Sequence, residues 1–146
     1  RHFDPYMEMM GGLSLWGDAD PRTRRKDAVS SSAKYLRDHF HEVPMIVVPC
    51  IEGRVPEQSD SFTQASFWGS ILPAVWSFML ALRSRGLGSA WTTLHLPSER
   101  EAAEVLGIPF EQVTQAGLFP VAHTVGTDFR PATRLPLDRV LHWDGW

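Results

Sequence analysis

Residues 67–93 read FWGSILPAVWSFMLALRSRGLGSAWTT, and the fold turns on how this stretch is read. Ile71, Leu72, Val75, Trp76, Phe78, Met79, Leu80 and Leu82 cover most of the circumference of a helix. A helix apolar nearly all round has to be buried centrally or lie between subunits. Pro73 suits only the first turn, where its missing N–H has no intrahelical partner, so the spacing predicts a regular helix from near Leu72. Gly86 and Gly88 are expected to cap its end. Ser89-Ala90-Trp91-Thr92-Thr93 then follows as a short strand or extended turn.

Upstream, Val29, Ala33, Leu36 and Phe40 recur at helical spacing and predict an amphipathic helix ending near His39 to Glu42. Its basic start, Arg22, Arg24, Arg25 and Lys26, is poorly placed for the helix dipole and reads either as a solvated first turn or as a contact for an anion. Residues 1–21 mix Gly11, Gly12, Gly17, Pro5 and Pro21 with short apolar pieces, the pattern of a loop. Met45 to Ile51 is apolar without alternation, which suggests a strand buried on both faces, with Pro49 placing it at an edge or bulge. Gly53 to Gln64 has the composition of a mobile connection, and such loops often border ligand sites.

Downstream, Ser98-Glu99-Arg100-Glu101 fits a capping box opening a helix that stops at Gly107-Ile108-Pro109. Val113 to Val121 should be a further strand. The tail from Gly126 is rich in Pro and Arg and carries Trp143 and Trp146, which are expected to dock on a surface, that of a second subunit being one candidate. No repeat or second domain is visible, so residues 1–146 are expected to form one domain.

Bulk properties remove several function classes. A net charge of −3 and a pI near 6.1 offer no long-range attraction to phosphate backbones or anionic lipid, which argues against nucleic acid and membrane partners. No uninterrupted apolar run approaches the ~20 residues of a membrane span, and no signal-peptide core is present, so the expectation is a cytoplasmic protein. The single cysteine, Cys50, reads as a small core residue in a reducing compartment. Gly86-Leu87-Gly88 lacks a third glycine and follows a helix instead of a strand, which argues against a Rossmann dinucleotide site. His39-Phe40-His41 lacks a nearby third ligand, so no metal is expected. Ser30, Ser31 and Ser32 lie within a helix and resemble no nucleophile elbow.

The long apolar helix closing in Arg83-Ser84-Arg85-Gly86-Leu87-Gly88-Ser89-Ala90-Trp91 resembles the central helix of the FMN-dependent nitroreductase family, with its Arg-x-x-Gly-Leu-Gly-Ser/Thr-x-Trp signature. Leu106-Gly107-Ile108-Pro109 is similar to that family's helix exit, and Gln115 to Ala122 to its last core strand. Arg130-Pro131-Ala132-Thr133-Arg134-Leu135-Pro136-Leu137-Asp138-Arg139-Val140 resembles the basic segment before its tryptophan-bearing tail. The four blocks span roughly Pro44 to Trp146.

This resemblance implies an α+β fold with a mostly antiparallel sheet, flanking helices and a long buried central helix. It also implies a homodimer with FMN at the interface. Trp91, Thr92, Thr93 and Leu94 would lie beside the flavin ring, which needs a flat apolar slot with backbone donors and acceptors at one edge. Ordinary strand roles for Trp91 and Thr93 remain the alternative. Arg134 matches the phosphate-binding arginine. The second basic position, two residues earlier, is Ala132 here, which leaves Arg130 as the replacement. His95 either lines the substrate pocket or is a partly exposed loop histidine. The implied chemistry passes electrons from NAD(P)H through flavin N5 to a nitroaromatic, quinone or similar small aromatic acceptor, with no classical catalytic residue.

Two features depart from the family pattern. The N-terminal Arg-x-x-Arg segment and the following Pro-Ser-x-x-Asn stretch have no counterpart, and the chain opens at Arg1 without Met, so it is expected to be truncated at its N-terminus relative to the family. Alternative functions are therefore a non-catalytic flavin-sequestering protein or an FMN-free interaction protein of the same superfamily.

Overall fold

A computed structural model describes residues 4–6, 8, 23, 26–126, 128–132 and 134–146. Apart from residues 4–6 and 8, the loop expected over residues 1–21 lies outside the described residues, as do Arg22, Arg24 and Arg25. Among the described residues from Lys26 onward there are three α-helices and five short strands. Helix α1, Lys26–His39, runs into a 3-10 turn at Phe40–Glu42 and then into strands β1, Met45–Val47, and β2, Cys50–Glu52. Helix α2, Ser61–Arg83, leads to strand β3, Leu87–Ser89. Helix α3, Glu99–Leu106, precedes β4, Val113–Gln115, and β5, Phe119–His123.

All strand pairings among the described residues are antiparallel. One sheet has the order β1-β5-β3, with Val47 opposite Phe119 and Ser89 opposite Val121. The other pairs β2 with β4, Cys50 opposite Gln115. Each sheet takes half of two longer segments broken at the same level. Pro49, which has no N–H for a ladder, separates β1 from β2, and Ala116 to Leu118 separates β4 from β5. The N–H of Ala116 donates to the Pro49 carbonyl at 2.8 Å, so the breaks face each other and the ribbon stays closed.

The apolar residues of α2 meet the sheet at this joint. Ile71 and Val75 pack with Ala116 and the fully buried Phe119, and Val47, Ile51, Trp68, Leu72 and Met79 close around them. Burial of α2 is one-sided in the single chain: Phe62, Trp76 and Leu80 are exposed at 79%, 56% and 55%. With 23 residues and this composition, α2 is long and apolar enough to cross a bilayer by those criteria alone, contrary to the expectation that no stretch approaches that length.

Several expected boundaries move. Helix α2 begins at Ser61, not near Leu72, because Asp60 caps it: the Asp60 carboxylate accepts from the Thr63 N–H at 2.8 Å. The connection expected over Gly53 to Gln64 is shortened accordingly, and Pro73 falls inside the helix, where its ring removes the bond that would reach Gly69. The same hydrogen bonds from Thr63 draw the Asp60 carboxyl below its ordinary range. Asp60→Ala is expected to lower the thermal midpoint by a few degrees and fray the first turn, measured by circular dichroism.

The segment from Met45 to Ile51 is not buried on both faces. It lies at the sheet edge, with Met45 and Ile46 exposed. Cys50 is exposed rather than a core residue. Helix α3 starts where the capping-box pattern places it, yet Ser98 makes no side-chain cap bond. Its end follows expectation, with Gly107 left-handed at φ 67° and the Ile108 N–H returning to the Ala103 carbonyl at 2.9 Å. Gly88 sits within β3 instead of capping α2. Trp143 and Trp146 are exposed on the single chain.

Candidate functional site

The turn from α2 into β3 is made at Gly86, whose φ of 73° suits glycine. Gly88 then lets β3 approach β5 closely, since a Cβ there would meet Thr124 Cγ2 at 2.8 Å. Beyond Ser89 the chain leaves the sheet and is pinned by Thr92. The Thr92 N–H donates to the Leu118 carbonyl at 3.1 Å, the Leu118 N–H donates back at 2.8 Å, and the Thr92 hydroxyl donates to the same carbonyl at 2.8 Å. A further turn follows as the Leu96 N–H donates to the Thr93 carbonyl at 3.0 Å.

This pinned run forms one wall of a cleft of about 1270 Å³. Trp91, Thr92, Thr93, Leu94 and His95 line it on that side, with Pro120 and Ala122 of β5 below them. The opposite wall is α1, through Val29, Ala33, Leu36 and Phe40. These four are the helical stripe visible in the sequence, so that stripe faces the cleft. Ligand pockets commonly occupy roughly 300–1,000 Å³, so the space is ample for a flat tricyclic ring.

The cleft lining mixes apolar and polar residues, Arg37 and His95 among the latter. Arg37 of α1 donates from Nε to Asp38 at 2.8 Å and from Nη1 to Asp4 at 3.1 Å, and the hydrogen bond with Asp38 raises its already high pKa. Across the cleft, His95 Nε2 meets Gln115 Oε1 at 3.0 Å. Behind Gln115 stands Glu99, which holds Arg54 through two hydrogen bonds of 2.8 and 2.9 Å. Burial pushes the Glu99 carboxyl up, but Arg54 and the Gln115 N–H outweigh it and hold it below its ordinary value. Burial likewise depresses the His95 imidazole, against the smaller opposing pulls of Gln115 and Glu99. Two buried polar atoms of wall residues, Ser89 Oγ and His95 Nδ1, have no partner among the described residues.

The expected ring-binding residues Trp91, Thr92, Thr93 and Leu94 therefore come together on one wall. Among the described lining residues Arg130 and Arg134 do not appear: both are exposed, and Arg134 Nη1 donates to the carbonyl of Ala132 at 3.3 Å. No group of three or more metal-ligating side chains occurs among the described residues. Sequence reading missed Arg37 and the Arg54–Glu99–Gln115 chain. The last of these joins positions 45 and 16 residues apart, with no local signal.

The nitroreductase family model matches residues 13–123. The chain belongs to the nitroreductase family. Its architecture agrees, an α+β fold with helices around antiparallel strands. Among solved nitroreductase structures it is similar to a point mutant of NfnB, an FMN and NADPH-dependent enzyme from Sphigopyxis sp. strain HMH. That match has a TM-score of 0.54 and 18% identity, covering 99% of this chain and 59% of the other. A candidate nitroreductase in complex with FMN from Exiguobacterium sibiricum 255-15 gives 0.48 and 16%, covering 86% of this chain and 49% of the other. This nitroreductase-family chain thus spans 59% and 49% of the lengths of these two structures. No curated protein matches it.

Proposed function

We propose that this nitroreductase-family chain is an FMN-dependent oxidoreductase that carries electrons from NAD(P)H to a small aromatic acceptor such as a nitroaromatic or quinone. The observation that carries the reading is the cleft itself, with the Trp91–Leu94 run on one wall and the α1 stripe on the other. Bound there, FMN would supply the hydride- and electron-transfer chemistry. The chain's own residues hold and shield the ring.

The residues fit a flavin ring. Trp91 and Leu94 offer flat apolar surface, and the buried, unpartnered Ser89 Oγ awaits a hydrogen-bond partner on the same wall. Thr92 is engaged with Leu118 and serves to fix the slot, and the Thr93 carbonyl already accepts from the Leu96 N–H, which leaves the peptide groups of Trp91 and Leu94 and the Thr93 N–H for the pyrimidine edge. Excluding water from such a slot strengthens each polar contact made inside it. The phosphate is another matter, because Arg37, the guanidinium among the described cleft residues, already holds Asp38 and Asp4. Arg130 and Arg134 are the proposed phosphate ligands, reaching the site in a homodimer in which the tail of one copy docks against the cleft of the other.

An absorption spectrum during FMN titration tests the cofactor, and NAD(P)H consumption with a quinone or nitroaromatic acceptor tests the reaction. Bound flavin without turnover would mean sequestration instead of catalysis. A protein that stays colourless with added FMN would sink the cofactor assignment. Arg134→Ala is expected to weaken FMN binding about tenfold, the scale of one charge-assisted phosphate contact. Unchanged affinity in a fluorescence titration would remove Arg134 from the phosphate site.

A further inference from the structure

We infer that Glu99 is a positioning residue: acting through Gln115, it holds His95, and with it the Trp91–His95 run, in one fixed setting on the cleft wall. The flavin reading enters only in saying what that wall touches.

Which atoms can donate fixes the arrangement. Gln115 is buried at 1% exposure, so its amide must find partners inside the protein. Its Nε2 donates to the main-chain carbonyl of Glu99 at 3.0 Å, and its own N–H donates to Glu99 Oε1 at 2.8 Å. Turning the amide over would set two oxygens against each other, so Oε1 is the atom that faces His95. An amide oxygen only accepts. His95 Nε2, 3.0 Å away, therefore carries the proton. In the neutral ring Nδ1 is then a bare lone pair, and it is buried without a partner among the described residues. A proton added there would find no hydrogen-bond acceptor among the described residues, and the hydration it loses outweighs the pull of Glu99, which agrees with the ring being held neutral.

Glu99 is in turn fixed from behind. Arg54 grips both carboxylate oxygens, donates also to the Val113 carbonyl at 2.9 Å, and lies 4.0 Å above the centre of the Phe110 ring. Glu99 opens α3, while His95 stands just before the turn that leads into that helix. Its carboxylate and carbonyl thus tie the start of α3 to β4, and the β4 side chain Gln115 reaches back to the cleft wall. A forked, planar guanidinium can grip a carboxylate this way, whereas a lysine would leave one oxygen loose.

The test needs no ligand. In the wild-type protein, a long-range ¹H–¹⁵N correlation spectrum at neutral pH should show His95 as the neutral Nε2–H tautomer. An Nδ1–H tautomer or a charged ring overturns the inference. Gln115→Met keeps length and bulk but cannot bond His95. It should accelerate amide exchange in the peptide over residues 91–98 about tenfold, with the core of α2 still protected. Uniform acceleration over the whole chain, or none, would count against positioning. Glu99→Gln retains an oxygen for the Gln115 N–H and should keep both the His95 tautomer and slow exchange in 91–98; loss of the tautomer in that folded variant also refutes the role. Failure of the wild type to take up FMN would sink the flavin reading, and these readouts would still decide this one.

Discussion

Gly117→Ala is expected to destabilise the protein by about 3 kcal/mol or more and to abolish the cleft's affinity for a flat ligand. Two penalties add at this position. Its φ of 150° lies where L side chains rarely go, and strain of that kind costs about 1–3 kcal/mol. A Cβ there would also sit 2.9 Å from Trp91 Nε1, 3.0 Å from Phe119 Cε2 and 3.2 Å from the Thr92 carbonyl. Phe119 is fully buried and the Thr92 carbonyl is bonded to Leu118, so neither can yield cheaply. Trp91 is the group left to move, and moving it displaces the wall proposed to bind the flavin. Gly126→Ala is the control. Its φ is 79°, but nothing lies within 4 Å of the added carbon, so about 1 kcal/mol is expected from strain alone. Urea unfolding separates the two variants, and equal losses would show that crowding at the Trp91–Phe119 contact is unimportant.

Much of this wall was legible in the sequence because its signals are local. The stripe Val29, Ala33, Leu36, Phe40 predicts helix α1 at helical spacing, and the run of apolar residues before Gly86 predicts helix α2 and the extended segment after it. The start of α2 was misplaced for a physical reason. Proline is a strong argument against helix interiors, but the Asp60 cap and the continuous helix beyond it outweigh the single bond that Pro73 removes. The strand breaks at Pro49 and Gly117 were half visible: proline marks the first, whereas the second depends on the approach of Trp91 and Phe119, which no spacing encodes. Least legible was the chain from Arg54 to His95. Its members look like surface charges and a strand polar residue until the fold brings β4 and the start of α3 together. Arg130 and Arg134 show the reverse case, a local pattern readable in sequence whose position depends on where a proline-rich tail docks.

Glu99→Ala is the other large effect expected, a loss of about 3 kcal/mol at neutral pH. The Glu99 side chain is 14% exposed and its Arg54 partner 32%, so both are mostly withdrawn from water. Removing one member of such a pair costs roughly 3–5 kcal/mol, because the other charge is left without its partner, and the partial exposure of Arg54 puts the expectation at the low end. The Gln115 N–H, in a residue 1% exposed, loses its acceptor at the same time. The pH dependence gives a second check. The Glu99 carboxyl is held below its ordinary value of 4.5 in the folded chain, so its contribution is complete above that pH and fades as acid protonates it in the native state. The difference in unfolding free energy between wild type and Glu99→Ala should therefore shrink below pH 4.5. His95 acts in the same direction for a separate reason. Its folded-state value lies below the ordinary 6.5, so the unfolded chain takes up a proton that the native ring refuses, and stability falls as pH drops through that value. In Glu99→Ala the nearby negative charge that favours the imidazolium is gone, so this second, higher-pH loss should persist or deepen. Urea titrations of both proteins from neutrality down to about pH 3 separate the two effects. A wild-type advantage that stays constant across that range would show that the carboxylate of Glu99 carries no charge-dependent share of the fold's stability.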